Sequence, residues 1–154
     1  MKKLLSNRIV IFVLRLVVGG LFLHACADKI ASPNDFSIAV DNYRFLPEFL
    51  VNVWAIVLPW AELFIGLFLV FGVFVEASAL ISSLMYLSFI IALATALARG
   101  LDIGCGCFEL TEAKERISHM YIVRDFSLLV GSVWILLGYR GKLAVEALWK
   151  KNDD

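Results

Sequence analysis

Residues 50–72 read LVNVWAIVLPWAELFIGLFLVFG, a run in which Glu62 is the single charge. A helix rises about 1.5 Å per residue, so roughly 20 such residues cross the ~30 Å hydrocarbon core of a bilayer. Three further apolar runs flank this one, at about 9–27, 77–98 and 120–139. Gly19-Gly20 and Ser82-Ser83 within them are small residues of the kind that let membrane helices approach closely. Buried helices of a soluble protein would carry polar faces, and these runs have none. The whole chain agrees: of 154 residues 61% are hydrophobic and 18% charged, against about a quarter charged in an ordinary soluble domain. Four spans and their connections use nearly all of it, leaving one domain, 1–154, with outward loops at about 28–49 and 99–119.

Charge outside the runs sets the expected orientation. Lys2, Lys3 and Arg8 precede the first run and Arg140, Lys142, Lys150 and Lys151 follow the last, seven basic residues that put both termini in the cytoplasm. The outward loops hold five, Lys29, Arg44, Arg99, Lys114 and Arg116, among eight acids. In the first of these loops Ser32-Pro33-Asn34 is a turn-and-cap signal. Phe36, Ala39/Val40 and Tyr43 follow at helical spacing, which predicts a short interfacial helix with Asp35, Asp41 and Arg44 toward water. The N-terminus also imitates a secretion signal, with Ala25-Cys26-Ala27 as a small-residue site and Leu23-His24-Ala25-Cys26 as a loose lipoprotein box. Arg15 inside the apolar core and His24 beside the cleavage point argue for a retained span. Net charge is zero, so nucleic acid is not an expected partner.

Three cysteines, an odd number, cannot all pair within one chain. Cys105-Gly106-Cys107 is the most informative feature: two thiols one residue apart close a disulfide only through a sharp turn, which Gly106 permits, and a strained disulfide is easily reduced. The expected topology places this pair outside the cytoplasm, where disulfides persist, and Cys26 near the same face. A three-thiol relay is then open, with Cys26 resolving mixed disulfides; the plainer reading of Cys26 is a small residue packed at a helix end. A metal site from the cysteines with His24 and His119 is a further alternative, which the C-x-C spacing matches poorly.

Ionisable residues inside the spans are costly in lipid and mark candidate sites: Arg15, Glu62, Arg124 and Asp125. Arg15 lies close enough to the inner end to snorkel. Glu62 stands near mid-membrane one turn after Pro59, which removes a helical hydrogen bond and frees a carbonyl. An ion pair between Glu62 and Arg124 is the economical expectation, with Asp125 and Lys29 near enough to join it. The functional version of that pair lines a polar pocket beneath the cysteine loop and handles protons or a quinone headgroup.

Cys105-Gly106-Cys107-Phe108 after the third run, Lys29 and Pro33 after the first, and Pro59-x-x-Glu62-x-x-x-Gly66 in the second together resemble the MauE-like branch of the DoxX-like family of four-helix redox-associated membrane proteins. The resemblance covers about residues 8–139; Glu109 stands where the family commonly has glycine. It implies redox maturation, with MauE linked to disulfide formation in a periplasmic dehydrogenase subunit alongside a thioredoxin-fold partner, and DoxX relatives linked to thiosulfate and quinone chemistry.

The expectation is therefore an all-α integral membrane four-helix bundle in the bacterial inner (cytoplasmic) membrane. It acts as a thiol–disulfide oxidoreductase: Cys105 and Cys107 exchange disulfides with a periplasmic thioredoxin-fold protein or its substrate, Cys26 resolves, and Glu62 and Arg124 hold a quinone. A non-catalytic anchor or assembly subunit with a static disulfide, and a metal-handling membrane protein, are the alternatives.

Overall fold

The computed structural model describes residues 8–43, 47–100 and 119–138. Among them are five helices: α1 (Arg8–Ala31), α2 (Pro33–Asn42), α3 (Glu48–Phe71), α4 (Val75–Ala98) and α5 (His119–Gly138). Three are long and apolar enough to cross a membrane, Ile9–Ala31 in α1, Phe49–Phe71 in α3 and all of α4. Cys105, Cys107, Arg44 and the terminal flanks that carry the orientation argument lie outside the described residues.

Local chemistry sets the boundaries. The first apolar run was expected to end near Ala27, but α1 continues through Asp28 and Lys29 to Ala31. It stops because Ser32, preceding Pro33, is forced out of the helical region, with φ −130° and ψ 69°. Pro33 then opens α2 at its first turn, where a missing N–H is harmless. The short helix is amphipathic as expected: Phe36 and Ala39 are buried, Val40 and Tyr43 half-buried, Asp35 and Asp41 exposed. Helix α3 runs through Pro59 without interruption and ends at Gly72, whose left-handed φ of 76° lets the Gly72 and Val73 N–H groups both donate to the Phe68 carbonyl, at 2.8 and 2.9 Å. Three residues later α4 begins, giving a tight helical hairpin.

The distribution of side chains is the reverse of a soluble protein. Exposed positions include Phe12, Val17, Ile56, Val57, Trp60, Phe64, Leu84, Ile91, Phe126 and Leu137, whereas Arg15, Lys29, Glu62 and Asp125 are at most 2% exposed. An apolar exterior around buried charge suits lipid as solvent. The buried positions trace one stripe per helix at spacings of three and four: Ile11, Arg15, Val18, Phe22, Cys26 and Lys29 on α1, and Val51, Ala55, Pro59, Glu62, Gly66 and Leu69 on α3.

Helices α1 and α3 cross antiparallel on two glycines. A Cβ on Gly19 would stand 3.0 Å from the Gly66 carbonyl oxygen, and one on Gly66 would stand 3.0 Å from that of Gly19. Gly20, expected to share this role, faces open space, with nothing within 4 Å of an added Cβ. Gly131 brings α5 against Val18 and Leu14 of α1 at ordinary contact distance. On α4, Ser82 and Ser83 are buried and return their hydroxyls to the Ala79 carbonyl at 3.0 and 2.7 Å. That satisfies them within their own helix and leaves α4 a small, apolar packing face.

Arg15 does not snorkel. It is 2% exposed, and its Nε donates to the Leu69 carbonyl at 3.0 Å. The guanidinium thus caps the C-terminal turn of α3, where carbonyls lack helical partners and the helix dipole favours a cation. Gly72 is the residue that makes room, since any Cβ there would collide with the same guanidinium.

Candidate functional site

Lys29 and Glu62 form the centre of the buried polar region. The Lys29 ammonium donates to both Glu62 oxygens, Oε1 at 2.6 Å and Oε2 at 2.9 Å, and each side chain is 1% exposed. Side chains on a helix lean toward its N-terminus, so on these antiparallel helices the long Lys29 stem and the Glu62 carboxylate reach toward one another. Two rings complete the cage: Nζ lies 5.1 Å from the centroid of Phe36 on α2 and 5.7 Å from that of Phe89 on α4. Four helices therefore meet on one cation, whose charge is met by a carboxylate and two ring faces.

Glu62 consequently takes Lys29, rather than Arg124, as its partner. Arg124 is half-buried and its Nε donates to Oδ1 of the neighbouring Asp125 at 3.2 Å. The two pairs are not isolated, because Asp125 is within electrostatic reach of Lys29, and Tyr86 within reach of Asp125, Glu62 and Arg124. Tyr86 is 2% exposed and packs its ring on Phe22, centroids 5.0 Å apart. Its hydroxyl and Asp125 Oδ2 find no hydrogen-bond partner among the described residues. Tyr43, just beyond α2, also faces this region: burial pushes its phenol well above the ordinary range and the Asp125 charge adds to the rise. Among the described residues the cations Lys29 and Arg124 stand against the carboxylates Glu62 and Asp125, a pairing that lowers the cost of charge in lipid.

Cys26 belongs to the same cluster. It is a free thiol, 2% exposed, donating to the Leu23 carbonyl at 3.2 Å. It stands three residues before Lys29 on the buried stripe, and both Lys29 and Glu62 act on it electrostatically. The contact between Phe22 and Tyr86 sets Cys26 level with about residue 90 of α4, roughly 12 Å below the end of that helix by helical rise. Cys26 is thus deeper than a thiol at a helix end. His24 of the metal alternative is exposed, and no cluster of three or more His, Cys, Asp or Glu fit to hold a metal occurs among the described residues.

The family model described as "Methylamine utilisation protein MauE" matches residues 7–138, which takes in every described helix. The chain belongs to the MauE family. Three relatives, each named methylamine utilization protein MauE, show the extent of the likeness. That of Methylorubrum extorquens is 33% identical over 137 residues, covering 86% of this chain and 73% of the relative. That of Paracoccus denitrificans is 30% identical over 139 residues, covering 90% and 74%. That of Methylophilus methylotrophus is 28% identical over 136 residues, covering 88% and 72%. No solved structure matches the chain. MauE membership and three apolar helices fit a multi-pass membrane protein.

In this MauE-family chain the sequence singled out Glu62, Arg124 and Cys26 as candidates and named Asp125 and Lys29 as able to join them, but it gave Glu62 the partner Arg124 instead of Lys29 and gave Tyr86, Phe36 and Phe89 no part. Lys29 was counted as a loop cation because hydropathy falls at Asp28. The overlooked signal is the three-and-four spacing that carries the α1 stripe from Phe22 through Cys26 to Lys29.

Proposed function

We propose that the chain is a four-span thiol–disulfide oxidoreductase of the bacterial inner membrane, with both termini cytoplasmic and α5 as the fourth span. Cys105 and Cys107 exchange disulfides with an extracytoplasmic thioredoxin-fold protein, and Cys26 resolves the mixed disulfide. Its relatives are named methylamine utilization proteins, which supports a role for the chain in that pathway. The observation that carries the reading is Cys26, a buried free thiol on the same inner stripe of α1 as Lys29, three residues before it. A free thiol held inward on a stripe that also carries charge is a candidate for exchange chemistry.

A lipid-soluble quinone fits the same region. The Tyr86 hydroxyl and Asp125 Oδ2 offer a donor and an acceptor that have no partners among the described residues. Glu62, with both oxygens engaged by Lys29, and Arg124, bonded to Asp125, set the charge around such a headgroup rather than taking its hydrogen bonds. A bound quinone would supply acceptance of two electrons and two protons from a dithiol.

Trapping tests the exchange. With Cys107→Ser and Cys26→Ser introduced, the remaining Cys105 is expected to hold a soluble thioredoxin-fold protein in a mixed disulfide that reductant releases. Failure to trap any partner from either single-thiol loop variant, with the protein correctly inserted, overturns the reading.

A further inference from the structure

An oxidised para-quinone has a carbonyl oxygen at each end of its ring and no proton of its own, so a site that holds both ends supplies two donors. Tyr86 and Asp125 supply one donor and one acceptor. Most other buried donors are already engaged: Lys29 with Glu62, Arg15 with the Leu69 carbonyl, Arg124 with Asp125 and Cys26 with the Leu23 carbonyl. The hydroxyls of Ser82, Ser83, Ser88, Thr95 and Ser127 turn back onto carbonyls three or four residues earlier in their own helices. Ser132 on α5 does not. It is 0% exposed, and its hydroxyl has no partner among the described residues, an arrangement that costs free energy unless something else is meant to take the bond.

Neighbours fix where that hydroxyl stands. Asp125, Leu128, Ser132 and Ile135 recur at spacings of three and four, so Ser132 shares the inward face of α5 with Asp125. Gly131, beside it, meets Val18 of α1, and Phe22, four residues further along α1, packs its ring on Tyr86. Ser132 and Tyr86 therefore differ in depth by about one helical turn, roughly 6 Å by helical rise. Val18, Phe22, Tyr86 and Ile135 belong to one apolar core with Leu128 packed against it, the apolar wall with a few placed polar groups that suits a small-molecule site. The Trp134 indole N–H, also without a partner among the described residues, stands two residues along α5 and off this face.

We propose that Ser132 is the second hydrogen-bond donor of the quinone site, with Tyr86 donating to one carbonyl and Ser132 to the other. This rests on the quinone reading above and gives Ser132 a binding role in it. The ligand class follows from the separation in depth: a para-quinone presents its two oxygens at opposite ends of the ring, whereas an ortho-quinone presents both at one end and leaves a donor unused. A hydroxyl also accepts, so Ser132 serves equally the hydroquinone formed when two electrons and two protons arrive from the dithiol, and Asp125 Oδ2 is the acceptor for its other hydroxyl.

Infrared difference spectra of the full-length protein in detergent with duroquinone, labelled with carbon-13 at one carbonyl, test this. The two carbonyls of duroquinone are equivalent, so any difference between them is imposed by the protein. In the parent the labelled stretch should appear as two bands, both below that of free quinone. Ser132→Ala should return one of them to the free position and Tyr86→Phe the other. Ser132→Ala should also weaken duroquinone binding roughly three- to tenfold, the worth of one hydrogen bond. Its unliganded thermal unfolding should be no lower than the parent's, since only a partnerless hydroxyl is lost. If Ser132→Ala leaves both bands and the affinity as in the parent, the proposal is overturned, and a band that still moves in Tyr86→Phe leaves the quinone reading standing. Parent spectra with both carbonyls at the free position overturn the two together.

Discussion

Gly19 and Gly20 are neighbours on α1, and the structure gives alanine at each the opposite sign. At Gly20 nothing lies within 4 Å of an added Cβ, so Gly20→Ala should only relieve the conformational penalty of a helical glycine, a gain of about 0.5–1 kcal/mol. At Gly19 the same methyl would stand 2.9 Å from Val70 Cγ2, 3.0 Å from the Gly66 carbonyl oxygen and 3.1 Å from Leu69 Cβ. Val70 can rotate, but the Gly66 oxygen and Leu69 Cβ move only with the α3 backbone, so the helices must part by a few tenths of an ångström along their closest line. Overpacking of this kind costs about 1–3 kcal/mol, which exceeds the propensity gain and leaves Gly19→Ala destabilised by about 1–2 kcal/mol. Reversible unfolding in mixed detergent micelles, with each variant against the parent, measures both. If Gly20→Ala destabilises as much as Gly19→Ala, or Gly19→Ala stabilises, the glycine crossing of α1 and α3 is wrong.

Further outcomes follow from the buried charges. Gly72→Ala meets both a φ of 76° and the Arg15 guanidinium, and is expected to lower stability by more than the roughly 1–2 kcal/mol of a left-handed alanine, with much of the excess recovered when Arg15→Met is added; thermal unfolding of the single and double variants reads it. Lys29→Met or Glu62→Gln should each weaken the fold, Lys29→Met by about 3–5 kcal/mol because it strands a buried anion, while the double variant recovers most of the loss; a double-mutant cycle by detergent unfolding measures the coupling. Tyr86→Phe removes a buried hydroxyl that has no partner among the described residues and should leave unliganded stability unchanged or raised by about 1 kcal/mol, and added short-chain quinone should stabilise the parent but not this variant in a thermal-shift assay.

The helices were legible in the sequence wherever composition decided them. Residues 50–72 are apolar enough that their helix follows from hydropathy alone, and Ser32-Pro33 announces the break between α1 and α2. The inward faces were not legible, because hydropathy reads an amphipathic stripe only when one side is polar, and both sides of these helices are apolar. Buried Val18 and exposed Val17 look alike until packing separates them. The charged residues were the informative exceptions, yet assigning partners required the helix arrangement. Arg124 and Lys29 were both within plausible reach of Glu62 by depth, and only the antiparallel crossing at Gly19 and Gly66 turns Lys29 toward it. Arg15 was misplaced for the same reason, since the carbonyl it caps belongs to a turn 54 residues away.

The crossing of α1 on α3 also bears on how the chain is made. Arg15 and Lys29 sit on α1, while the Leu69 carbonyl and the Glu62 carboxylate that receive them lie on α3 and are synthesised dozens of residues later. On the insertion scale a basic residue at the helix centre opposes membrane entry by about 2.5–3.5 kcal/mol; Arg15 and Lys29 stand off centre and oppose it by less, so α1 is easier to hold in lipid once α3 supplies their partners. The two helices are thus matched as a pair, each basic group of α1 reserved for an acceptor that only α3 brings.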